Sequence, residues 1–283
     1  MKSNHSDPGG PEGLRHEESL PKLGEGGLPR ELAEALDRSR ARLARLVSSV
    51  IFLPSVGSTN DVAATIATEG AVVIADGQTA GRGRRGHSWF SPAGSGVYLS
   101  IVLRPARARI DPDRATQLLT LAAGVAVSEG IGAATGLSTE LKWPNDVFAG
   151  RRKLAGILAE AAAGAVVLGY GINVTAASYP TELGDRATSL ESELGRAIDR
   201  HAVLAETLAA LARRYDDLLN GRFDAILDAW RSCAPSATGA RVTWAQAATL
   251  HAGVTAGIDG RGALLVRVGD RVERVVSGEL TWL

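Results

Sequence analysis

The residues with the densest capacity for chemistry lie between Gln78 and Pro92, in the run Q-T-A-G-R-G-R-R-G-H-S-W-F-S-P. Gly81, Gly83 and Gly86 alternate there with Arg82, Arg84 and Arg85, and Trp89 and a Ser-Pro turn follow. Glycine lets a backbone reach positive φ and approach a ligand closely, while each arginine presents a rigid fork of donors. Together they suit a mobile cationic loop that wraps phosphates or carboxylates through backbone N–H groups and guanidinium pairs. No G-x-x-x-x-G-K-[ST] is present, and the glycine spacing is not that of a dinucleotide fingerprint. Gly/Arg-rich runs also serve as linkers and nonspecific RNA-binding tails. This one is short and sits between two strand-like segments, 71–75 (AVVIA) and 96–103 (GVYLSIVL). That placement favours a ligand loop on a rigid scaffold.

Four further polar clusters adjoin strand or helix ends: Ser58-Thr59-Asn60, Lys142-Trp143-Pro144-Asn145-Asp146, Lys153, and Asn173 in G-I-N. A lone lysine in a hairpin usually faces solvent. Here K-W-P-N-D is followed by K-L-A-G-I-L, and a turn at Ala149-Gly150-Arg151 brings the second lysine back towards the first. A constellation assembled from several strand ends is the pattern expected of an active site.

The elements that position these groups follow from the apolar pattern. Pro29 opens a helix over about 29–48, with Leu32, Leu36, Leu43, Leu46 and Val47 on one face. Residues 50–53 read as a strand, and Ser58 as a helix N-cap with capping-box-like spacing to Asp61. A strongly apolar helix follows over 111–129, then strands at 139–143 and 153–160 and a core strand at 165–174. Helices cover 199–219 and 222–232, Pro235 to Gly239 reads as a linker, and short alternating strands fill 240–283. Strands joined by hairpins with helices collected elsewhere predict an α+β fold. Its sheet is mixed and mostly antiparallel, flanked by helices, and a small C-terminal SH3-like β-barrel follows. The expected division is a disordered tail at 1–27, a catalytic domain at 28–234 and the β-domain at 235–283.

Composition sets limits. With 31 basic and 31 acidic residues the formal charge is zero, so no global nucleic-acid or membrane surface is expected. The one cysteine, Cys233, excludes an internal disulfide framework and a multi-cysteine metal site. The N-terminus has no apolar signal region, and no run is expected to span a membrane, so the reading is cytoplasmic.

In this order, S-T-N, G-R-G-R-R-G-x-x-W-x-S-P, K-W-P-N-D, K-L-A-G-I-L-x-E and G-I-N-V closely resemble the motifs of biotin protein ligases, over roughly residues 50–283. The resemblance implies a two-step reaction. Biotin and ATP give biotinyl-5′-AMP and pyrophosphate, and biotin then passes to a lysine of a biotin carboxyl carrier domain of a carboxylase. By the family pattern, Ser58, Thr59, Asn60, Gln78, Gly81, Arg82, Gly83, Arg84 and Lys153 would bind biotin. Arg84, Arg85, Trp89, Lys142, Asn145, Asp146 and Asn173 would bind the nucleotide, and Asp146 would hold Mg²⁺. Lys153 and Arg84 would carry the catalysis. His87 and Ser88 stand where members commonly have basic residues, and Tyr179 is the candidate for the adenine platform. Some relatives carry an N-terminal winged helix and repress transcription. Residues 1–50 offer one amphipathic helix, too little for that domain, so a monofunctional enzyme is expected, as a monomer or weak homodimer.

Overall fold

In the computed structural model, which describes residues 27–246, 249–278 and 280–283, the chain runs through seven helices and twelve strands. The tail expected at 1–27 lies, apart from Gly27, outside the described residues. In order the elements are α1 (Arg30–Arg38), α2 (Arg40–Leu43), β1 (Ser49–Val56), α3 (Thr59–Ala64), β2 (Ala71–Gln78), β3 (Gly96–Leu103), α4 (Pro112–Thr135), β4 (Glu140–Lys142), β5 (Asp146–Ala149) and β6 (Arg152–Ala162). They continue with β7 (Ala165–Asn173), α5 (Leu190–Leu194), α6 (Arg200–Leu219), α7 (Phe223–Cys233), β8 (Thr238–Gln246), β9 (Thr249–Ile258), β10 (Leu264–Val268), β11 (Arg271–Val275) and β12 (Leu280–Trp282).

Side-chain alternation along the central strands sets the layers. From β2, β3 and β7, the residues Val72, Ile74, Leu99, Ile101, Leu168, Tyr170 and Ile172 join one large core with α4, α6 and α7. Their neighbours Ala71, Val73, Val102 and Val167 turn the other way, onto Val62 and Ala63 of the short α3 and onto Ile66 just after it. The seven-stranded sheet has the order β1-β2-β3-β7-β6-β5-β4. Only β1 and β2 pair in parallel, with α3 in the crossover, and every other pairing in it is antiparallel. Among the described residues α4, α6 and α7 join the core on the face opposite α3, and the cavity lies on the α3 face.

The long helix α4 is apolar enough by length and composition to cross a bilayer, contrary to the expectation that no such run exists. Within the fold 72% of its most apolar stretch is buried, which marks it as the core helix against which α6 and α7 pack. The helix expected over 29–48 is broken. It ends at Arg38 and a short second helix starts at Arg40, with the backbone at Ser39 near φ −101°, ψ 2°. Ser39 is buried and its hydroxyl accepts from Arg42, whose guanidinium also clamps Glu206 of α6. The break lets both pieces lie along α6.

The second sheet is antiparallel, in the order β11-β10-β9-β8-β12. Its inner residues Val242, Trp244, Ile258, Leu264 and Val266 are continuous with the main core. The segment 235–239 is accordingly not a free linker: Pro235–Ala237 form a 3₁₀ turn with Ala237 buried, and β8 starts at Thr238. The sheet is fastened to its neighbour by Trp143 Nε1, which donates to Gly262 O at 2.9 Å, and by Arg114 Nε to Gly260 O at 2.7 Å.

Candidate active site

A cavity of about 540 Å³ opens on the α3 face. Cross-strand register builds its floor, because residues directly opposed on paired strands share a face. Tyr98 of β3 neighbours Gly171 of β7, Gly171 opposes Gly156 of β6, and Gly156 opposes Asp146 of β5. One row over, Ser100 opposes Gly169. The glycines have a steric cause. A Cβ on Gly169 would stand 2.2 Å from Asn60 Oδ1, and one on Gly171 would stand 2.2 Å from Trp89 Nε1. The indole of Trp89 therefore packs against both Gly171 and Gly156.

Lys153 reaches the same face through an irregularity. Val147 opposes Ala155, but the next pair is Phe148 with Lys153, leaving Leu154 as the extra residue of a β-bulge. Without it, Lys153 would point into the core, since it lies an odd number of positions from Gly156. The bulge lets Leu154 and Ala155 both enter the core and turns Lys153 to the site. The backbone groups of Lys153 pair instead with the segment after β7: its N–H donates to Arg186 O at 2.8 Å, and its carbonyl accepts from Thr188 N at 2.9 Å. Lys153 Nζ then lies 2.7 Å from Asp146 Oδ1.

The loop between β2 and β3 is folded as a narrow ribbon over this floor. Gln78 pairs with Ser91, Trp89 N donates to Gly81 O at 2.8 Å, Arg82 bridges Ser88, and Gly83 N donates to His87 O at 2.7 Å. The ribbon turns at Arg84–Gly86, where Arg85 (φ 55°) and Gly86 (φ 79°) are left-handed. Gly81 is the one expected site residue absent from the cavity lining. It is needed for closure of the ribbon, since a Cβ there would stand 2.4 Å from Trp89 O.

The remaining expected residues converge. Ser58, Thr59, Asn60, Gln78, Arg82, Gly83, Arg84, Arg85, Trp89, Lys142, Asn145, Asp146, Lys153 and Asn173 all line the cavity, as does Tyr179. The capping box expected from Ser58 and Asp61 does not form, because Ser58 makes no side-chain cap bond. Gln78 takes that function, accepting from Thr59 N at 2.8 Å and Thr59 Oγ1 at 3.1 Å on the same oxygen. Arg84 donates to Asn145 Oδ1 at 3.1 Å, while Asn145 Nδ2 holds Ile157 O at 2.8 Å. Asn173 is buried and spends its amide N–H on Thr188 O at 2.9 Å.

Lys142 has an aromatic environment. Its Nζ lies 4.0 Å from the centroid of Phe148 and 5.7 Å from that of Trp282, which β12 contributes to the lining along with Leu280. Burial is the largest influence on this ammonium and lowers its pKa; Arg151 adds to that, while Glu140 and Asp146 act against it. Among the described residues four buried side-chain polar atoms lack a hydrogen bond, and two of them, Trp89 Nε1 and Asp146 Oδ1, belong to this cavity. Asp146 Oδ1 is in ion-pair contact with Lys153 without hydrogen-bond alignment. Buried orphan groups are costly in a finished core and are characteristic of places where a ligand completes the set.

The biotin/lipoate A/B protein ligase family model matches residues 52–175. The chain is 36% identical over 266 residues to the bifunctional ligase/repressor BirA of Bacillus subtilis, covering 89% of this chain and 79% of that protein. It is 37% identical to the biotin–[acetyl-CoA-carboxylase] ligase of Mycobacterium tuberculosis, covering 80% of this chain and 86% of the relative. The chain belongs to the biotin protein ligase family. Its fold superimposes on biotin protein ligase from Aquifex aeolicus in complex with biotin and ATP, with a TM-score of 0.74 at 30% identity, over 83% of this chain and 98% of that one. The α+β architecture with a small C-terminal β-sheet is thus the catalytic fold of biotin protein ligases.

Several residues that shape this site were not singled out in the sequence. Gly156 and Glu160 stand in K-L-A-G-I-L-x-E and Gly171 in G-I-N-V without a role of their own, while Gly169 and Ser100 read only as strand residues. Phe148 and Trp282 come to the cavity from elements far apart in the chain. The alternating G-Y-G of 169–171 was the one available clue, because paired glycines two apart on a strand mark a close approach to one face.

Proposed function

We propose that this chain activates biotin with ATP, releasing pyrophosphate, and transfers biotin from biotinyl-5′-AMP to a lysine of a biotin carboxyl carrier domain. The observation that carries this is the composition of one cavity. Uncharged hydroxyl and amide groups gather at α3, while Arg84, Lys142 and Lys153 stand at the other end. A carboxylate brought against a triphosphate meets like charge. Two unit charges about 4 Å apart interact by roughly 4 kcal/mol at an effective dielectric of 20. That repulsion alone would slow reaction nearly a thousandfold, which fixed cations offset.

In this scheme Ser58, Thr59, Asn60 and Gln78 hold the ureido head of biotin, and Arg82, Gly83 and Arg84 close over the carboxylate. Lys153 exchanges Asp146 for the reacting oxygens as the biotin carboxylate attacks the α-phosphorus and pyrophosphate leaves. The carrier's amine then attacks the acyl carbon, and AMP departs with the bonding electron pair. Lys142, Arg85, Trp89, Asn145 and Asn173 form the nucleotide end, with Trp282 and Tyr179 at its margin.

The metal fits as part of the nucleotide. Among the described residues no group of three or more His, Cys, Asp or Glu is placed to hold an ion, and Asp146 is the sole acid among the lining residues. One carboxylate together with phosphate oxygens and water is an ordinary environment for Mg²⁺. Mg²⁺ bound there would neutralise phosphate charge.

The proposal extends to organisation. Residues 28–234 would be the catalytic unit, 235–283 the β-domain, and the protein a cytoplasmic monomer or weak homodimer without operator binding. Support for the last point is that α1 and α2 are spent on α6, with Leu32, Leu36 and Leu43 buried. A gel shift at low salt with biotin and ATP is expected to show no DNA complex. The decisive experiment is exchange of labelled pyrophosphate into ATP with biotin, with lipoate and with neither. Exchange with biotin alone is expected, exchange with lipoate alone would move the substrate, and exchange with neither would refute the ligase reading.

A further inference from the structure

Glu160, the last residue of K-L-A-G-I-L-A-E, does not line the cavity, yet it holds two residues that do. One oxygen, Oε2, accepts from Asn60 Nδ2 at 2.6 Å and from Arg82 at 2.8 Å. Asn60 is buried, and its other amide atom, Oδ1, lies 2.5 Å from Ser100 Oγ. With Nδ2 on a carboxylate and Oδ1 on a hydroxyl, the amide has a single orientation. Its second N–H is then the group available to a ligand carbonyl, because an amide nitrogen carries two donors.

The contacts continue in a circuit. Ser100 Oγ lies 2.7 Å from Thr59 Oγ1, Thr59 N–H donates to Gln78 Oε1 at 2.8 Å, Gln78 Nε2 donates to Ser91 Oγ at 2.9 Å, and Ser91 donates to Trp89 O at 3.0 Å. The path leaves the glycine-arginine ribbon at Arg82 and re-enters it at Trp89, passing through the residues assigned to the biotin head. Glu160 is the only carboxylate in it. Asp61 also pairs with Arg82, at 2.9 Å, but is more exposed than Glu160, and the bonds that complete the circuit run through Glu160.

We propose that Glu160 is a positioning residue that fixes the Asn60 amide as a donor and ties the ligand pocket to the glycine-arginine ribbon as one hydrogen-bonded unit. Glu160 acts through Asn60 and Arg82 and does not touch substrate. This rests on the ligase reading for the identity of the ligand, but the coupling of pocket to ribbon does not.

The test compares E160A, E160Q and D61A with wild type in two measurements on the full chain. The first is tryptic cleavage after Arg82, Arg84 and Arg85 without added ligand. Cleavage in E160A is expected to be at least fivefold faster than in wild type, and in D61A less than twofold faster. The second is biotin affinity by calorimetry, with the ATP KM as a control. E160A is expected to weaken biotin at least tenfold, equivalent to about 1.4 kcal/mol, with the ATP KM changed less than threefold. E160Q keeps an acceptor for Asn60 without the charge, and should regain most of the biotin affinity. Equal effects of E160A and D61A, or wild-type affinity and cleavage in a folded E160A, would overturn the proposal. If E160A fails to fold, E160Q and D61A decide it: cleavage in E160Q no faster than in D61A overturns it. If wild type itself bound no biotin, the ligase reading would fall, and the cleavage arm would still decide whether Glu160 holds the ribbon.

Discussion

The two ends of the cavity solve opposite problems. At the α3 end Ser58, Thr59 and Asn60 are almost fully buried, and Thr59 and Asn60 belong to a continuous hydrogen-bonded path. Its groups are uncharged except where Glu160 meets Arg82. At the other end Lys142 and Lys153 sit against aromatic rings and one carboxylate, and the cavity's orphan polar atoms cluster around Trp89 and Asp146. A satisfied network fixes geometry before a neutral group arrives, so little reorganisation is left for binding. Partly desolvated cations are the reverse: unfavourable alone, they interact strongly with an anion because the surroundings screen poorly. The first end is built for recognition and the second for charge.

If that division holds, changes at the two ends should separate binding from chemistry. The largest effect is expected from Lys153→Ala. It removes the cation that the bulge at Leu154 turns into the cavity and that is proposed to meet the reacting atoms, and loss of one such stabilising donor commonly costs 10²–10³ in rate. Pyrophosphate exchange should fall by about 100-fold or more, while biotin affinity changes by less than tenfold. A parallel collapse of biotin binding would break the comparison. Gly169→Ala should do the opposite. Its Cβ would intrude to 2.2 Å from Asn60 Oδ1, and Asn60 is held on both sides. Overpacking of this kind costs about 1–3 kcal/mol. Calorimetry should show biotin binding weakened about tenfold or more, with the ATP KM little changed. Arg84→Gly should have a smaller effect on adenylation. It removes the contact from the ribbon's tip to Asn145, so the mixed anhydride escapes early. Several-fold more labelling of bystander lysines is expected at equal adenylate turnover, and equal labelling would refute the ribbon's role as a cover.

Legibility in the sequence followed the range of each interaction. The strand at 96–103 coincides with β3, and the apolar pattern located the K-W-P-N-D hairpin, because period-two alternation and turn residues are local signals. The bulge that re-aims Lys153 was not visible, since it depends on which residue of β5 faces which of β6. Ser58 looked like a capping residue from its spacing to Asp61, yet Gln78 from the neighbouring parallel strand supplies the acceptor. The break at Ser39 likewise reflects a distant partner, since Arg42 reaches Glu206. Glycine-rich floors are hard to read for the same reason. Gly156 and Gly171 matter because Trp89, from another loop, lies against both.

The smallest effect expected is a pH dependence at the charged end. Burial is the main cause lowering the Lys142 pKa, with Arg151 in support, so this ammonium loses its proton at lower pH than an exposed lysine would. The sign follows directly. Below its pKa Lys142 is cationic and attracts a polyphosphate; above it the attraction is lost. The ATP KM should therefore begin to rise at an alkaline pH below the usual lysine range, by a few-fold, while biotin affinity stays flat over the same interval because Lys142 is not among the groups assigned to biotin. Lys142→Arg keeps the charge throughout and should remove the rise, even if its bulkier head against Phe148 and Trp282 raises the KM overall. A KM rise that persists in Lys142→Arg would assign the titration to another group, and a matching rise for biotin would mean that the two ends are not electrostatically separate.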